Sequence, residues 1–277
     1  MKRKPYPTDL PDKEWQALQP MLPPPARRGR PREVDLREIV NALLYLVVAG
    51  CAWRMLPHDF PPHETVYYYF RAWRDTDLFV QLNKDLREKV RILEGREATP
   101  SAALIDSQTV KTTEQGGVRG FDAGKLIKGR KRHLLVDTLG LVLLVLVLRA
   151  NIQDRDGARQ LLPLARQEFP RLTKVWADGA YAGELVKEAR KDGLDLEIVK
   201  RSDDIKGFVV LPRRWVVERT NAWVSHHRRL SKDYEVLEKT SEAWIYWGMV
   251  KIMLPRVARG GGSGARWQRK AAAAGAG

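Results

Sequence analysis

Cysteine occurs once in the 277 residues, at Cys51. A single thiol excludes an internal disulfide framework and any cysteine-rich zinc site, and it suits a reducing cytoplasm. Cys51 also follows an apolar, buried-looking helix, a poor setting for a nucleophile. Long apolar runs are equally scarce. The longest, residues 139–148, is interrupted by Gly140 and falls well short of the ~20 residues a membrane-crossing helix requires. The first ten residues carry charge but no apolar signal core, so neither export nor membrane insertion is expected. Acid is in short supply: 34 Asp and Glu stand against 49 Lys and Arg, a formal charge of +15 with pI near 10.0. Such a field predicts a polyanionic partner, with nucleic acid foremost.

What is present divides in two. Residues 1–98 read as a helical domain, with helices over residues 12–22, 34–50, 63–73 and 78–93. Asp35 with Glu38 three residues on predicts a capping box for the second helix, and Gly50 its end. The helix over 63–73 is aromatic and basic, with Tyr67, Tyr68 and Tyr69 edged by Arg71 and Arg74. Two helices joined by a turn, the second of this character, fit a helix-turn-helix DNA reader. The other reading is a small bundle bracing the next domain.

From residue 99 to 258 the pattern becomes mixed α/β. Strands are expected over 131–138, 141–149, 172–177 and 194–200, and within 102–111 from an apolar run that closes at Asp106, with a hairpin turn at Leu139-Gly140. Helices are expected over 156–169, 184–191, 211–232 and 241–257. One hairpin followed by alternating helices and strands implies a mixed sheet covered on both faces. This succession resembles the ribonuclease-H-like fold. Residues 259–277 are Gly/Ala-rich and read as a flexible tail.

Three acids stand out. Asp106 and Asp178 each close an apolar strand-like run, and Glu218 lies in the helix over 211–232. Along that helix Arg214, Glu218, Asn221, Ser225, Arg228 and Lys232 recur at steps of three and four, which places them on one face. Two carboxylates about 4 Å apart repel by roughly 4 kcal/mol at an effective dielectric near 20, a penalty that a divalent cation removes. Hard oxygen ligands favour Mg²⁺ or Mn²⁺, and two such ions can activate the attacking oxygen and stabilise the leaving one at phosphorus. Positive charge brackets these acids. Residues 111–133 hold seven Lys and Arg (111, 119, 125, 128, 130, 131, 132) against two acids, and residues 199–232 hold nine, Arg228 and Arg229 among them, against three. Phosphate backbones passing an active site would require that concentration.

Several longer motifs carry a resemblance. They are Ile105-Asp106-Ser107-Gln108-Thr109-Val110-Lys111, Lys128-Gly129-Arg130-Lys131-Arg132-His133, Trp176-Ala177-Asp178-Gly179-Ala180-Tyr181 and Arg214-Trp215-Val216-Val217-Glu218-Arg219-Thr220, with the run from Arg228 to Glu235 and Gly50-Cys51-Ala52-Trp53-Arg54. In this order they resemble the DDE transposases of bacterial insertion sequences, the insertion-sequence-five family of the insertion-sequence-four-like superfamily. The resemblance implies Asp106, Asp178 and Glu218 as the catalytic, metal-binding triad with two Mg²⁺ or Mn²⁺ ions. It also implies cut-and-paste transposition by hydrolysis at terminal inverted repeats and attack of the 3′-OH ends on target DNA. Double-stranded DNA is the implied partner. A dimer or larger synaptic assembly follows from the need to join two ends, in a cytoplasmic, nucleoid-associated bacterial protein. Phosphate contacts are assigned on this basis to Lys111, Arg119, Lys125, Lys128, Arg130, Lys131, Arg132, Arg214, Arg228, Arg229 and Lys232, with His133 beside them, and the DNA ends to Arg71 and Arg74. The related signature has Tyr at the position of Leu211 and Lys at that of Ser225; Arg228 or Lys232 is expected to supply the missing cation. Two other readings use the same features: a ribonuclease-H-like nuclease or resolvase without strand transfer, and a retired transposase acting as a DNA-binding repressor.

Overall fold

A computed structural model describes residues 3–25, 32–114, 117–199 and 214–260, Arg214 by its backbone alone. The basic turn at 27–31, the loop with Asp203 and Asp204, Pro212, the cations at 200, 201, 206 and 213, and the tail beyond 260 lie outside these residues. The chain divides into two compact units, one of residues 1–98 with 247–277 and one of residues 99–246.

The first unit contains α1 (Asp12–Leu18), α2 (Leu36–Ala49), α3 (His63–Asp75) and α4 (Leu78–Leu93). Asp35 caps α2 by accepting from the Arg37 amide at 2.8 Å, and Gly50 ends it in the left-handed conformation. The expected capping box is only half built, because Glu38 accepts instead from Arg3 and Asn41. The buried stripe of α3 is Val66, Phe70 and Trp73, spaced by four and three residues, while Tyr67 and Tyr68 stay exposed. Phe79 of α4 meets Phe70 at 5.3 Å and Trp247 at 5.5 Å between ring centroids.

The second unit is built on a six-stranded mixed sheet. Its strands are β1 (Ala102–Lys111), β2 (Gly120–Asp122), β3 (Ile127–Asp137), β4 (Val142–Arg149), β5 (Lys174–Ala177) and β6 (Asp195–Ile198). β3 pairs antiparallel with β1 on one side and with β2 and β4 on the other, and β5 and β6 extend the sheet in parallel from β1. One face is covered by α5 (Asp154–Glu168) and α6 (Glu184–Lys191), whose Ala158, Leu161, Leu162, Leu185 and Ala189 join Ile105, Leu135 and Val175 in a continuous core. The remaining helices are α7 (Arg214–Ser225) and α8 (Glu238–Ala258). Glu242 and Tyr246 of α8 accept from the Val147 and Val145 amides of β4, which satisfies donors on that edge. Among the described residues no helix is long and apolar enough to cross a membrane.

Three elements depart from the sequence-based expectation. β1 does not close at Asp106 but runs on to Lys111, because β3 stays paired with it as far as Gly129. β3 begins at Ile127 and not at 131, so the basic run is itself strand, and β2 is an additional short strand beside it. The helix over 211–232 ends at Ser225. His227 is extended, and Arg228–Leu230 forms a separate 3₁₀ turn.

Candidate active site

The register of β1 and β5 brings the first two acids together. Ala102, Ala103 and Leu104 pair in parallel with Lys174, Val175 and Trp176, and two residues further on Asp106 and Asp178 reach the same level. Neighbouring strands lie about 4.8 Å apart. Asp106 is mid-strand, but it stands where its neighbour β5 ends, in the crevice beyond a strand's carboxyl end that α/β sheets use for ligands. Asp178 is extended and caps the 3₁₀ turn Gly179–Tyr181 by accepting from the Ala180 amide at 2.8 Å. That turn carries Tyr181 into the interior, where burial, then Asp106, Asp154 and Asp178, raise its hydroxyl well above the ordinary tyrosine pKa.

Glu218 arrives on α7, and side-chain hydrogen bonds fix the course of that helix over β1. Asn221 Nδ2 donates to Asp106 Oδ2 at 3.0 Å, and Gln108 Nε2 donates to Ser225 Oγ at 3.3 Å. On its other flank Thr220 Oγ1 donates to the Gly140 carbonyl at 2.7 Å and Arg219 to that of Leu139 at 2.8 Å. Gly140 has φ 77, and a Cβ there would come within 2.9 Å of Thr220 Oγ1, so the hairpin turn and helix packing both ask for glycine. Glu218 is exposed and lies one helical turn before Asn221, a spacing that puts their Cβ atoms about 5–6 Å apart. Among the described residues no three His, Cys, Asp or Glu side chains form a group that could hold a metal ion. As they stand, Asp106, Asp178 and Glu218 therefore do not fit a shared three-ligand ion site.

The basic run of β3 is a correction. Arg130, Lys131, Arg132 and His133 are all buried, so the phosphate contacts expected of them give way to internal partners. Arg130 donates to the carbonyls of Val118, Glu235 and Val236, and Arg132 to those of Leu230 and Lys232. Burial lowers the Arg132 pKa to about 10, so it keeps its charge at neutral pH. Arg229 is buried as well, paired with Glu235 at 2.7 Å and lying over the Trp244 ring. Arg130 and Arg132 share one physical reason. A guanidinium is planar and multidentate, so it can tie several carbonyls of an irregular segment at once.

On the α5 side of β1, Lys131 lies 2.9 Å from Asp154 and 3.6 Å from Asp122, while Ser107 and Thr109 donate to these acids at 2.7 Å. Burial pulls Asp154 upward, but the Ser107 hydroxyl and Lys131 ammonium outweigh it and hold the carboxyl below its usual range. His133 packs beneath Gly157, where a Cβ would fall 2.1 Å from the imidazole. Sequence reading missed this cluster, which alternation in β1 and β3 could have signalled had the basic run been taken as strand. Lys111, Arg119, Lys125, Lys128, Arg228, Lys232 and Arg71 remain exposed, and Arg74 is paired with Asp75 at 2.8 Å. The Arg214 side chain lies outside the described residues.

Comparison with known proteins identifies the family. Residues 97–250 match the family described as "Transposase DDE domain", and residues 10–83 match "Putative transposase of IS4/5 family". A putative transposase for insertion sequence element IS402 from Burkholderia cepacia is 36% identical over 118 residues, which is 39% of this chain and 54% of that protein. The chain thus spans about half the length of this curated relative. No solved structure matches. With the family match covering more than half of its residues, the chain belongs to the DDE transposases, of the IS4/5 type.

Proposed function

We propose that this protein cuts DNA at the terminal inverted repeats of its element and joins the freed 3′-OH ends to target DNA, with Asp106, Asp178 and Glu218 as the reacting acids. The observation that carries the reading is the shared level of Asp106 and Asp178 on adjacent parallel strands, together with the Asn221 bond that ties Glu218's helix to Asp106. The sheet supports a ribonuclease-H-like catalytic domain: β4, β3, β1, β5 and β6 in spatial order, with β3 antiparallel to the rest of the inner strands. DDE transposase domains typically use divalent metal. Mg²⁺ or Mn²⁺, two ions per site, is the proposed set, with Asp106 and Asp178 as the first ligands, and Glu218 would have to close on them. DNA phosphates are assigned to the exposed cations Lys111, Arg119, Lys125, Lys128, Arg228 and Lys232, and the element's ends to α3 with Arg71 and Arg74. Joining two ends calls for a dimer or larger assembly working at the nucleoid.

The test is incubation of the full chain with Mg²⁺ and DNA carrying the element's terminal repeats. Joined products are expected. Cuts without joining would leave a nuclease, and a shifted but uncut DNA would leave a repressor. Asp106→Asn and Glu218→Gln are each expected to lower cleavage by roughly a hundredfold or more while leaving DNA binding near the wild-type level. Strand transfer retained by Glu218→Gln would remove Glu218 from the site.

A further inference from the structure

The corner where β1, β2 and β3 meet has features that the three acids do not explain. Phe121, at the centre of β2, is 52% exposed, and Leu126 in the following turn is 76% exposed. Single exposed apolar side chains are ordinary. These two share an open cleft with Lys111, Arg119 and Lys128, where Glu114 is the one acid. Among the described residues none of those three cations is in an ion pair. Leu126 also sits in left-handed backbone, φ 54, which costs a residue with a Cβ about 1 kcal/mol. Backbone strain here holds an apolar side chain out in solvent, an arrangement more typical of a binding surface than of a fold. Phe121 stands directly opposite Lys128 in the β2–β3 ladder, so ring and ammonium stem are cross-strand neighbours.

We propose that this cleft takes an unpaired base of a DNA strand, stacked on Phe121 and flanked by Leu126, with the adjoining phosphates on Lys128, Lys111 and Arg119. An aromatic face beside mobile cations is how single strands are gripped without regard to sequence. A duplex, with its bases stacked inside, would leave the ring uncovered. Lys128, Arg130, Arg132 and Leu134 alternate onto one face of β3, and Leu134 pairs with Asp106. Phe121 and Lys128 therefore share the sheet face of Asp106, six residues or about 20 Å along the strand, and Lys111 reaches the cleft from the end of β1 on the other face. The proposal rests on the DNA-processing reading above but needs no chemistry, so the two can fail separately.

The experiment is metal-free equilibrium binding of the full chain to a fluorescein-labelled oligothymidylate and to a blunt duplex of equal length. Phe121→Ala is expected to weaken the single strand roughly ten- to a hundredfold and to leave the duplex within about twofold. Phe121→Tyr should restore single-strand affinity, and Lys128→Gln should lower the salt slope for that strand by about 0.7. Phe121→Leu, which keeps the bulk without the ring, serves in place of the alanine variant should that variant lose its circular dichroism spectrum. Unchanged single-strand affinity in the ring-less variant would overturn the base site and leave the DNA reading standing. Failure of the wild-type chain to bind either DNA would overturn both.

Discussion

His133 is neutral in the folded chain, and that neutrality links stability to pH. Burial lowers its pKa from 6.5 to about 4, with Asp154 opposing and Lys131 reinforcing the shift. An unfolded chain would take up the proton first as pH falls. The stabilising contribution is therefore fully present above pH 6.5, declines between 6.5 and about 4, and is exhausted below. The shift corresponds to about 3 kcal/mol. Asp154 and Asp122, both held below the usual carboxylate range, add their loss at lower pH, beneath the ordinary aspartate value of 3.8. Urea unfolding from pH 7.5 to 4.5 should show a falling midpoint in the wild type and a flatter one in His133→Asn. Parallel curves would place the titration elsewhere. Among the site residues, Asn221 is the informative one. Its amide gives Asp106 a donor from the helix that carries Glu218, so the geometry of the two acids depends on a residue that is itself neutral.

At the scale of elements, the segment after α7 is held by the sheet. Arg130 is fully buried and gives three hydrogen bonds to Val118, Glu235 and Val236 carbonyls, with Asp233 at 3.4 Å. Removing the guanidinium strands those acceptors and leaves a buried carboxylate short of a cation. Arg130→Met is therefore expected to cost about 3–5 kcal/mol in denaturant unfolding, and a cost under about 1 kcal/mol would mean that the segment is held by other contacts. A second buried arginine holds the residues that follow the shortened helix. Leu230 and Lys232 lie beyond the helix end at Ser225, and their carbonyls accept from Arg132, which ties this stretch to β3.

For the whole molecule, charge is the controlling quantity. The chain carries a formal +15, and among the described residues exposed cations lie on both units, although four side chains of the basic β3 run and Arg229 are withdrawn into the interior. Duplex binding should weaken by about a thousandfold between 50 and 200 mM salt if some six phosphates are contacted. A salt titration that is flat over this range would mean that the surface cations do not meet a phosphate backbone.

Composition and alternation determined much of this protein without any coordinates. The helices α1 to α4, the apolar runs leading to Asp106 and Asp178, the glycine at the hairpin turn and the motifs of a DDE transposase are local patterns, each set by residues a few positions apart. Tertiary structure alone decided which cations face solvent. Lysine and arginine read as surface in any local scale, and only distant partners make their burial affordable, the carbonyls of residues 230–236 for Arg130 and Arg132 and the carboxylates of Asp122 and Asp154 for Lys131. It also decided that β1 passes through Asp106 instead of ending there, because strand length follows from the partner's ladder and not from the strand's own composition.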